Sequence, residues 1–244
     1  TGVGMIGDTN AVLTPFTISG LGADSTYHVF VQDSCSVNDT TSWFGPFAVT
    51  TACDVAVAPY SVSFDNGFDG CWDNTGGADI WKSTSFAPGY GASSFVNRSG
   101  NGYAMWVDGS IPNDNANPPV LTSRMVDLSG LTQPELEFFV GSYNVNNADS
   151  NILVVNVIDA NGKTDSALVY SGMDADWVRQ SLGLSSYTSP VSVEFIVYID
   201  ANATAPFYND IVIDDVNFAE KRNCFRASNA IASNIAANTA TVTW

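Results

Sequence analysis

The stretch Ser-Phe-Asp-Asn-Gly-Phe-Asp-Gly-Cys-Trp, residues 63–72, decides the fold of this chain. The run that enters it, Tyr60-Ser-Val-Ser-Phe64, carries apolar residues at every second position, which predicts a strand with one buried face. This run is followed by Asp-Asn-Gly at 65–67, which offers oxygen ligands and a permissive backbone. Much later, Asn209-Asp-Ile-Val-Ile-Asp-Asp-Val-Asn-Phe218 predicts a second strand that carries carboxylates.

Composition sets the broad class of the protein. The chain has 244 residues, enough for one large β domain or two ordinary ones. It carries 25 acidic and 8 basic residues, and its net charge of −17 repels phosphate backbones and anionic lipid. We therefore expect no nucleic-acid partner, and the lack of an apolar run near ~18 residues predicts no membrane insertion. The chain does not begin with Met and is expected to be a mature piece of a longer protein.

The four cysteines and the single histidine limit the metal chemistry of the chain. No two cysteines form a Cys-x-x-Cys pair, and His28 has no second histidine to join it, so a zinc site is not expected. Disulfides in an exported protein explain the cysteines better, which predicts an extracellular or cell-surface location. Four cysteines allow three full pairings, and the spacing alone does not choose among them.

Strand-like runs recur between residues 54 and 220, and no window of a dozen residues carries a helical stripe. The runs are Tyr60–Phe64, Gly102–Val107, Pro119–Val126, Glu135–Ser142, Ile152–Asp159, Ala167–Tyr170, Trp177–Leu184, Val191–Asp200 and Ile211–Phe218. A turn is predicted at Asp159-Ala-Asn-Gly162. The run at 191–200 is apolar on both faces, which predicts two stacked sheets and an all-β fold.

The two ends of the chain carry strand-like runs of their own. Strands are expected at Val12–Ile18, Tyr27–Gln32 and Gly45–Thr51. The order Leu21, Tyr27, Val29, Val31, Gly45-Pro-Phe and Thr50-Thr resembles the last three strands of a fibronectin type III domain. The resemblance makes Tyr27 its corner tyrosine. At the other end Ala240, Val242 and Trp244 alternate with threonines, as in an early strand of the same family.

The middle of the chain carries a series of short motifs in a fixed order. They are Ser63-Phe-Asp-Asn-Gly67, Cys71-Trp72, Trp81 after Asp79, Leu121-Thr-Ser with Val126-Asp-Leu128, Leu136-Glu-Phe-Phe139, Trp177 before Leu182, and Ile213-Asp-Asp-Val216. In order and spacing they resemble a jelly roll of the MAM type, and more closely the cleaved-adhesin domains of exported bacterial surface proteins of the Bacteroidota kind. The predicted organisation is a partial fibronectin type III sandwich at 1–53, a jelly-roll β-sandwich at 54–223, and the start of a further fibronectin type III sandwich at 224–244.

The resemblance implies a calcium (Ca2+) site. In a jelly roll of this family the first and last strands are neighbours, so Asp65 should approach Asp214 or Asp215, with Asp79 and Asp108 completing the ligand set. Calcium accepts such a mixture of carboxylates and carbonyls in loose geometry. Strict alternation puts Asp215 on the face of Ile211 and Ile213, and Asp214 on the face of Val212 and Val216. The alternative is that these acidic residues only cap strands and turns.

The cysteines fit this domain organisation. Cys53 closes the fibronectin-like strand and Cys71 follows the first jelly-roll strand, so we predict a disulfide between them. Cys35 and Cys224 would then come together from adjacent units that associate head to tail, as a covalent tandem array or a strand-complemented filament. Contacts of this kind propagate without closing.

The predicted function is a repeat unit of an extracellular, non-catalytic surface adhesin or filament, with neighbouring copies, surface glycans or proteins as partners. Catalysis is not expected, because a histidine-dependent triad would depend on His28 alone and glutamates are few. The alternative is a carbohydrate-binding module of a secreted multi-domain protein, which would stack sugars on exposed aromatic residues. The candidates are Trp72, Trp81, Tyr90, Trp106, Tyr143 and Tyr208, unless these pack in the core. Asn38-Asp-Thr, Asn97-Arg-Ser and Asn202-Ala-Thr match the N-glycosylation pattern, by function or by chance.

Overall fold

The computed structural model describes residues 15–36, 38–85, 97–99, 102–109, 115–142, 151–171, 176–198, 210–222 and 231–243. The chain divides into two compact units, Thr1–Asp54 and Val55–Trp244. The regular structure of the described residues is β-strand throughout, as the sequence predicts. A helix able to span a membrane is not found in these ranges.

The first unit contains two antiparallel strand pairs. Strand β1 (Thr26–Val31) pairs with β4 (Phe44–Thr50), and β2 (Ser34–Ser36) pairs with β3 (Asp39–Thr40). The predicted strands at 27–32 and 45–51 are therefore confirmed. The described part of the predicted strand at 12–18, residues 15–18, is not a strand; it opens on a proline, which has no N–H to donate to a ladder.

Tyr27, which the resemblance makes a corner tyrosine, binds the turn that precedes β1. The hydroxyl of Tyr27 accepts a hydrogen bond from the backbone N–H of Gly22 at 2.7 Å. This bond ties the start of β1 to the turn that precedes it, as a corner tyrosine does in sandwich domains.

The second unit is a sandwich of two sheets. Its strands are β5 (Ala56–Val57), β6 (Tyr60–Val62), β7 (Asp73–Thr75), β8 (Lys82–Thr84), β9 (Ala104–Val107), β10 (Val120–Thr122), β11 (Val126–Asp127), β12 (Pro134–Gly141), β13 (Ile152–Asp159), β14 (Gly162–Tyr170), β15 (Val178–Gly183), β16 (Ser192–Tyr198) and β17 (Ile211–Glu220), followed by β18 (Ile231–Ser233) and β19 (Thr241–Thr243). One sheet has the order β14-β13-β16-β10-β7. The other has the order β15-β12-β17-β9-β8, with β6 also paired to β17. Strands β5 and β11 form a short parallel pair, and β18 pairs with β19.

The core lies between the two sheets. Phe138 of one sheet meets Phe195 of the other edge to face, with ring centroids 5.1 Å apart. Trp72 stacks on the same phenylalanine at 6.2 Å. Trp81 is also buried, and its indole N–H donates to the main-chain carbonyl of Phe195 at 3.1 Å. This aromatic packing joins the two sheets of the sandwich through one core.

The predicted neighbours β6 and β17 do pair. They run antiparallel, with Val62 opposite Val216 and Tyr60 opposite Phe218. The predicted faces of β17 are correct only as far as Asp214. Asp215 has a φ of 50° and forms a β-bulge, because β17 has one residue more than β12 at this point. The extra residue shifts the alternation, so Val216 faces the core together with Ile211 and Ile213.

Several other strand boundaries differ from the predicted ones. The predicted strand at 119–126 is two strands, β10 and β11, which join different sheets. The short strands β5, β7 and β8 were not predicted because two or three residues show no period. The turn at 159–162 is confirmed, but β14 begins at Gly162 and not at Ala167, since Ser166 (φ 55°) breaks its alternation.

Candidate functional site

Three of the predicted metal ligands converge on the segment Asn97-Arg98-Ser99. Asp65, which follows β6, accepts hydrogen bonds from the Asn97 amide at 3.1 Å and the Ser99 hydroxyl at 2.8 Å. Asp214 of β17 accepts the backbone N–H of Arg98 at 2.8 Å. The Arg98 guanidinium lies 2.7 Å from the carboxylate of Asp215. The bulge in β17 is what allows two consecutive carboxylates to reach one segment.

Gly102 fixes the distance between β9 and the loop after β6. It has a φ of +95°, and a Cβ placed on it would lie 2.5 Å from the Cα of Asp65. No side chain fits in that space, and a positive φ suits glycine. The chain can therefore pass directly against Asp65 before it enters β9 beside β17.

The carboxylates of the cluster differ in burial and in the direction of their pKa shifts. Asp214 is 1% exposed, and burial raises its pKa from 3.8 to about 7, with further contributions from the charges of Asp215 and Asp65. The hydroxyl of Ser99 lowers the pKa of Asp65, helped by Ser63 and Asn97. Three carboxylates thus bind one short segment that carries a single guanidinium, which pairs with Asp215, and the most deeply buried carboxylate, Asp214, holds its negative charge poorly at neutral pH.

This donor set fits a calcium ion in chemistry and charge. The carboxylates of Asp65, Asp214 and Asp215 are hard oxygen ligands, and the excess negative charge at Asp214 is of the kind that a cation relieves. The ligand atoms of these three residues do not all lie within 4.8 Å of one another in the part of the chain that the structure describes. The backbone and guanidinium of Arg98 lie between them and supply the positive charge here.

Asp79 and Asp108 lie in a different place. They meet at the end of β9, where the Asp108 backbone N–H donates to Asp79 at 3.2 Å. Asp65 and Asp214 lie at the beginning of β9. A four-residue strand is about 13 Å long, and this length separates them from Asp79 and Asp108. Lys82 already provides a cation for Asp79, with Nζ 2.7 Å from the carboxylate. The five predicted ligands therefore form two groups.

Sequence reasoning missed Arg98 as a member of the site. Its guanidinium also lies over the ring of Phe139, 3.4 Å from the centroid. The signal was present in Asn97-Arg-Ser, which matches the glycosylation pattern. Asn97 is 4% exposed and its side-chain N donates to Asp65 and Ser99, so it is not available to carry a glycan in this fold.

The aromatic candidates for sugar stacking are largely core residues. Trp72, Trp81 and Trp106 are buried, as the packing interpretation predicted. A buried indole cannot offer a face to a sugar ring. The other candidates, Tyr90, Tyr143 and Tyr208, lie outside the described residues.

The predicted disulfide is confirmed. Cys53 and Cys71 are bonded to each other. The candidates for a bond between units, the side chain of Cys35 and the whole of Cys224, lie outside the described residues.

Comparison with known proteins shows a similarity in fold alone. No protein-family model matches the chain, and no curated protein matches it either. The K3 cleaved adhesin domain of Lys-gingipain from Porphyromonas gingivalis W83 is similar in structure, with a TM-score of 0.49, 16% identity, and coverage of 66% of this chain and 98% of that domain. TmCBM61, solved with beta-1,4-galactotriose, has a TM-score of 0.46 and 16% identity over 65% of this chain and 94% of its own. A xylan-binding domain of Xyn10C from Paenibacillus barcinonensis has a TM-score of 0.42 and 11% identity over 66% and 99%.

Proposed function

We propose that this chain is a repeat unit of an extracellular, non-catalytic surface adhesin or filament, in which fibronectin type III-like and MAM-like jelly-roll modules alternate. Neighbouring units associate head to tail in this proposal. The observation that carries it is a contrast between the two units. Most large apolar side chains in the strands of the sandwich are buried, whereas Phe30, Phe44, Phe47 and Val49 of β1 and β4 are exposed.

One face of the β1–β4 pair is apolar. Val29 pairs with Phe47 and Tyr27 pairs with Val49, so these four side chains share a face. Phe47 is 43% exposed and Val49 is 46% exposed. A two-stranded sheet with such a face is marginal in water until another surface covers it. In our proposal the strands of residues 224–244 from the neighbouring unit cover this face.

The association can be tested by sedimentation equilibrium over a range of concentrations. The native chain should show a mass that rises with concentration, and Val49→Lys should abolish the rise. Ala48→Lys is the matched control, because Ala48 lies on the opposite face of the same strand and is also exposed. A constant monomer mass for the native chain, or equal effects of both variants, would refute head-to-tail association through this face.

Calcium stabilisation is the second part of the proposal, with Asp65, Asp214 and Asp215 as the residues that hold the ion. The ion would supply positive charge to the buried carboxylate of Asp214. Extracellular modules bind calcium at about 10⁻⁴–10⁻³ M, and a tenfold excess over Kd adds about 1.4 kcal/mol to stability. Thermal melts with calcium and with chelator test this; identical Tm values would count against the site.

Three of the four glutamates support a non-catalytic role for the exposed surface. Glu135 and Glu137 both pair with Arg179, at 3.0 and 2.6 Å. Glu220 accepts two backbone N–H groups. Carboxylates that are neutralised by arginine or used as caps in this way make poor general acids and bases.

Exposed aromatic surface favours glycan binding as a second candidate function. Tyr103 is 43% exposed, and its neighbour in the chain, Gly102, lies against the backbone of Asp65. Rings stack on sugars, and carboxylates accept hydrogen bonds from their hydroxyls. A glycan array with the native chain and Tyr103→Ala separates the two functions: specific binding that the variant loses would favour the carbohydrate-binding module.

A further inference from the structure

Asn156 interrupts a long apolar strand of the sandwich. Strand β13 reads Ile-Leu-Val-Val-Asn-Val-Ile-Asp, and Asn156 within it is 3% exposed. A buried amide must be paired on both sides. Its oxygen accepts the backbone N–H of Ser166 at 2.7 Å, and its nitrogen donates to Glu194 Oε2 at 3.0 Å.

Lys163 binds the same carboxylate oxygen. Its Nζ lies 3.0 Å from Glu194 Oε2. The strand register explains why: Asn156 is directly opposite Glu194 in β16, and Lys163 of β14 is opposite Ile158, two residues along β13 from Asn156 and on the same face. The amine of Lys163 and the amide of Asn156 are therefore separated by at most two hydrogen-bond lengths, with a carboxylate between them.

We propose that Lys163 and Asn156 become joined by an intramolecular isopeptide bond, with Glu194 as the proton carrier. The Lys163 ammonium gives a proton to Glu194, and the free amine attacks Cγ of Asn156. The Cγ–Nδ2 bond breaks and the Nζ–Cγ amide forms. The proton on Glu194 and one further proton from Nζ pass to the departing nitrogen, which leaves as an ammonium ion. Glu194 ends as the carboxylate it began as, so atoms and charge balance and no oxidant is needed.

The surroundings of the triad suit this step. The N–H of Ser166 points at Asn156 Oδ1, where negative charge develops as the amine adds. Ser166 can hold that position because it has a φ of 55° in the irregular part of β14. The contact with Glu194 raises the pKa of Lys163, and Asp165, 3.5 Å from the amine, adds to the effect. Proton transfer must therefore come before attack, and the bond should form slowly at neutral pH and faster in alkali.

The product would staple an edge of the sheet. Strand β14 is the outermost strand of its sheet, hydrogen-bonded only to β13 in the described sheet order. Edge strands are where sheets open and where foreign strands add. A covalent bond from Lys163 to Asn156 would fix β14 to β13. It would also prevent trypsin from cleaving after Lys163.

Mass spectrometry of the intact folded protein, fresh and after incubation in alkaline buffer, tests the proposal. We expect the loss of one ammonia from the sequence mass. Trypsin should then leave a fragment spanning 125–179, uncut after Lys163 and lighter by one ammonia. Lys163→Arg and Glu194→Gln should keep the full sequence mass, and Lys82→Arg, a lysine paired with a carboxylate but no amide, should behave as the native chain does. Circular dichroism confirms that each variant is folded.

One other reaction also releases ammonia and must be separated. Asn161 precedes Gly162 in the hairpin turn, where the following backbone nitrogen can close a succinimide ring. That product would still be cut by trypsin after Lys163 and would still form in Lys163→Arg. An unchanged mass after alkaline incubation of the folded protein, or an ammonia loss that persists in Lys163→Arg, would overturn the proposal.

Discussion

Replacing Asp214 by asparagine should stabilise the sandwich in alkali and destabilise it in acid. The folded protein holds the proton of Asp214 more tightly than the unfolded chain, with a pKa of about 7 against 3.8. The stability from this proton is fully present below pH 3.8 and is lost as pH rises through about 7. At about 1.4 kcal/mol per pKa unit, the buried charge costs the metal-free protein up to about 4 kcal/mol at about pH 8.

The loss of one hydrogen bond reduces the gain in the free energy of unfolding that Asp214→Asn brings. The native carboxylate accepts the backbone N–H groups of Arg98 and Asp215, and an amide has one acceptor for two donors. An unpaired buried N–H costs about 1–3 kcal/mol. In the presence of chelator we therefore expect Asp214→Asn to raise the free energy of unfolding by about 1–3 kcal/mol at about pH 8. At about pH 4 we expect the variant to lower it by a similar amount, because Asp214 is already neutral there.

Urea unfolding followed by tryptophan fluorescence measures both values. Asp127→Asn is the control, because Ser129 and Ser189 lower the pKa of Asp127 and its pH dependence has the opposite sign: it should destabilise most in alkali. If calcium binds here, saturating calcium should raise the Tm of the native chain and not that of Asp214→Asn. A loss of stability in Asp214→Asn at both pH values would refute the electrostatic reasoning.

Three further substitutions test the fold around the site. Gly102→Ala should cost about 2–4 kcal/mol through a main-chain clash at a positive φ, whereas Gly130→Ala, with open space around it, should change stability by less than about 1 kcal/mol in urea melts. Replacing Cys53 and Cys71 together by alanine should cost about 3 kcal/mol by loop entropy, which calorimetry of both forms measures; an unchanged Tm would contradict it. Trp81→Phe should cost about 1–3 kcal/mol, because a buried carbonyl loses its donor; near-UV circular dichroism should show that the core stays ordered.

The sheets could be predicted wherever residues alternate over five positions or more. Ile152–Asp159 was predicted with its observed bounds, because apolar residues on both faces leave one consistent strand. Strands β7 and β8 are set by partners and not by their own pattern: Asn74 holds Trp81 through two hydrogen bonds, and no local signal announces that. Short strands of this kind follow from tertiary contacts that a single sequence does not display.

The proximity of Asp65 to Asp214 was predicted, and the presence of Arg98 beside them was not. Asp65 and Asp214 do lie beside paired strands, as the family resemblance implied. The bulge at Asp215 could not be read from the sequence, because a single extra residue shifts the period without changing the residue types. Arg98 was overlooked because its segment is far in sequence from both strands and resembles a glycosylation pattern. The separation of Asp79 from Asp65 required knowledge of which end of β9 each one meets.

The position of β17 in the chain also determines when the sandwich can form. It is the last strand of the two large sheets to leave the ribosome, yet it lies between β12 on one side and β6 and β9 on the other. Before residue 220 has been synthesised, β6 lacks the partner to which it pairs in this sheet, and β12 and β9 each lack one of their two neighbours. Such long-range pairing is slow. At about 5–20 residues per second, β6 waits many seconds for β17. Any truncation ahead of β17 would therefore leave this sheet as two separate strand pairs, β12–β15 and β8–β9, with unpaired edges accessible to factors that handle unfolded polypeptides.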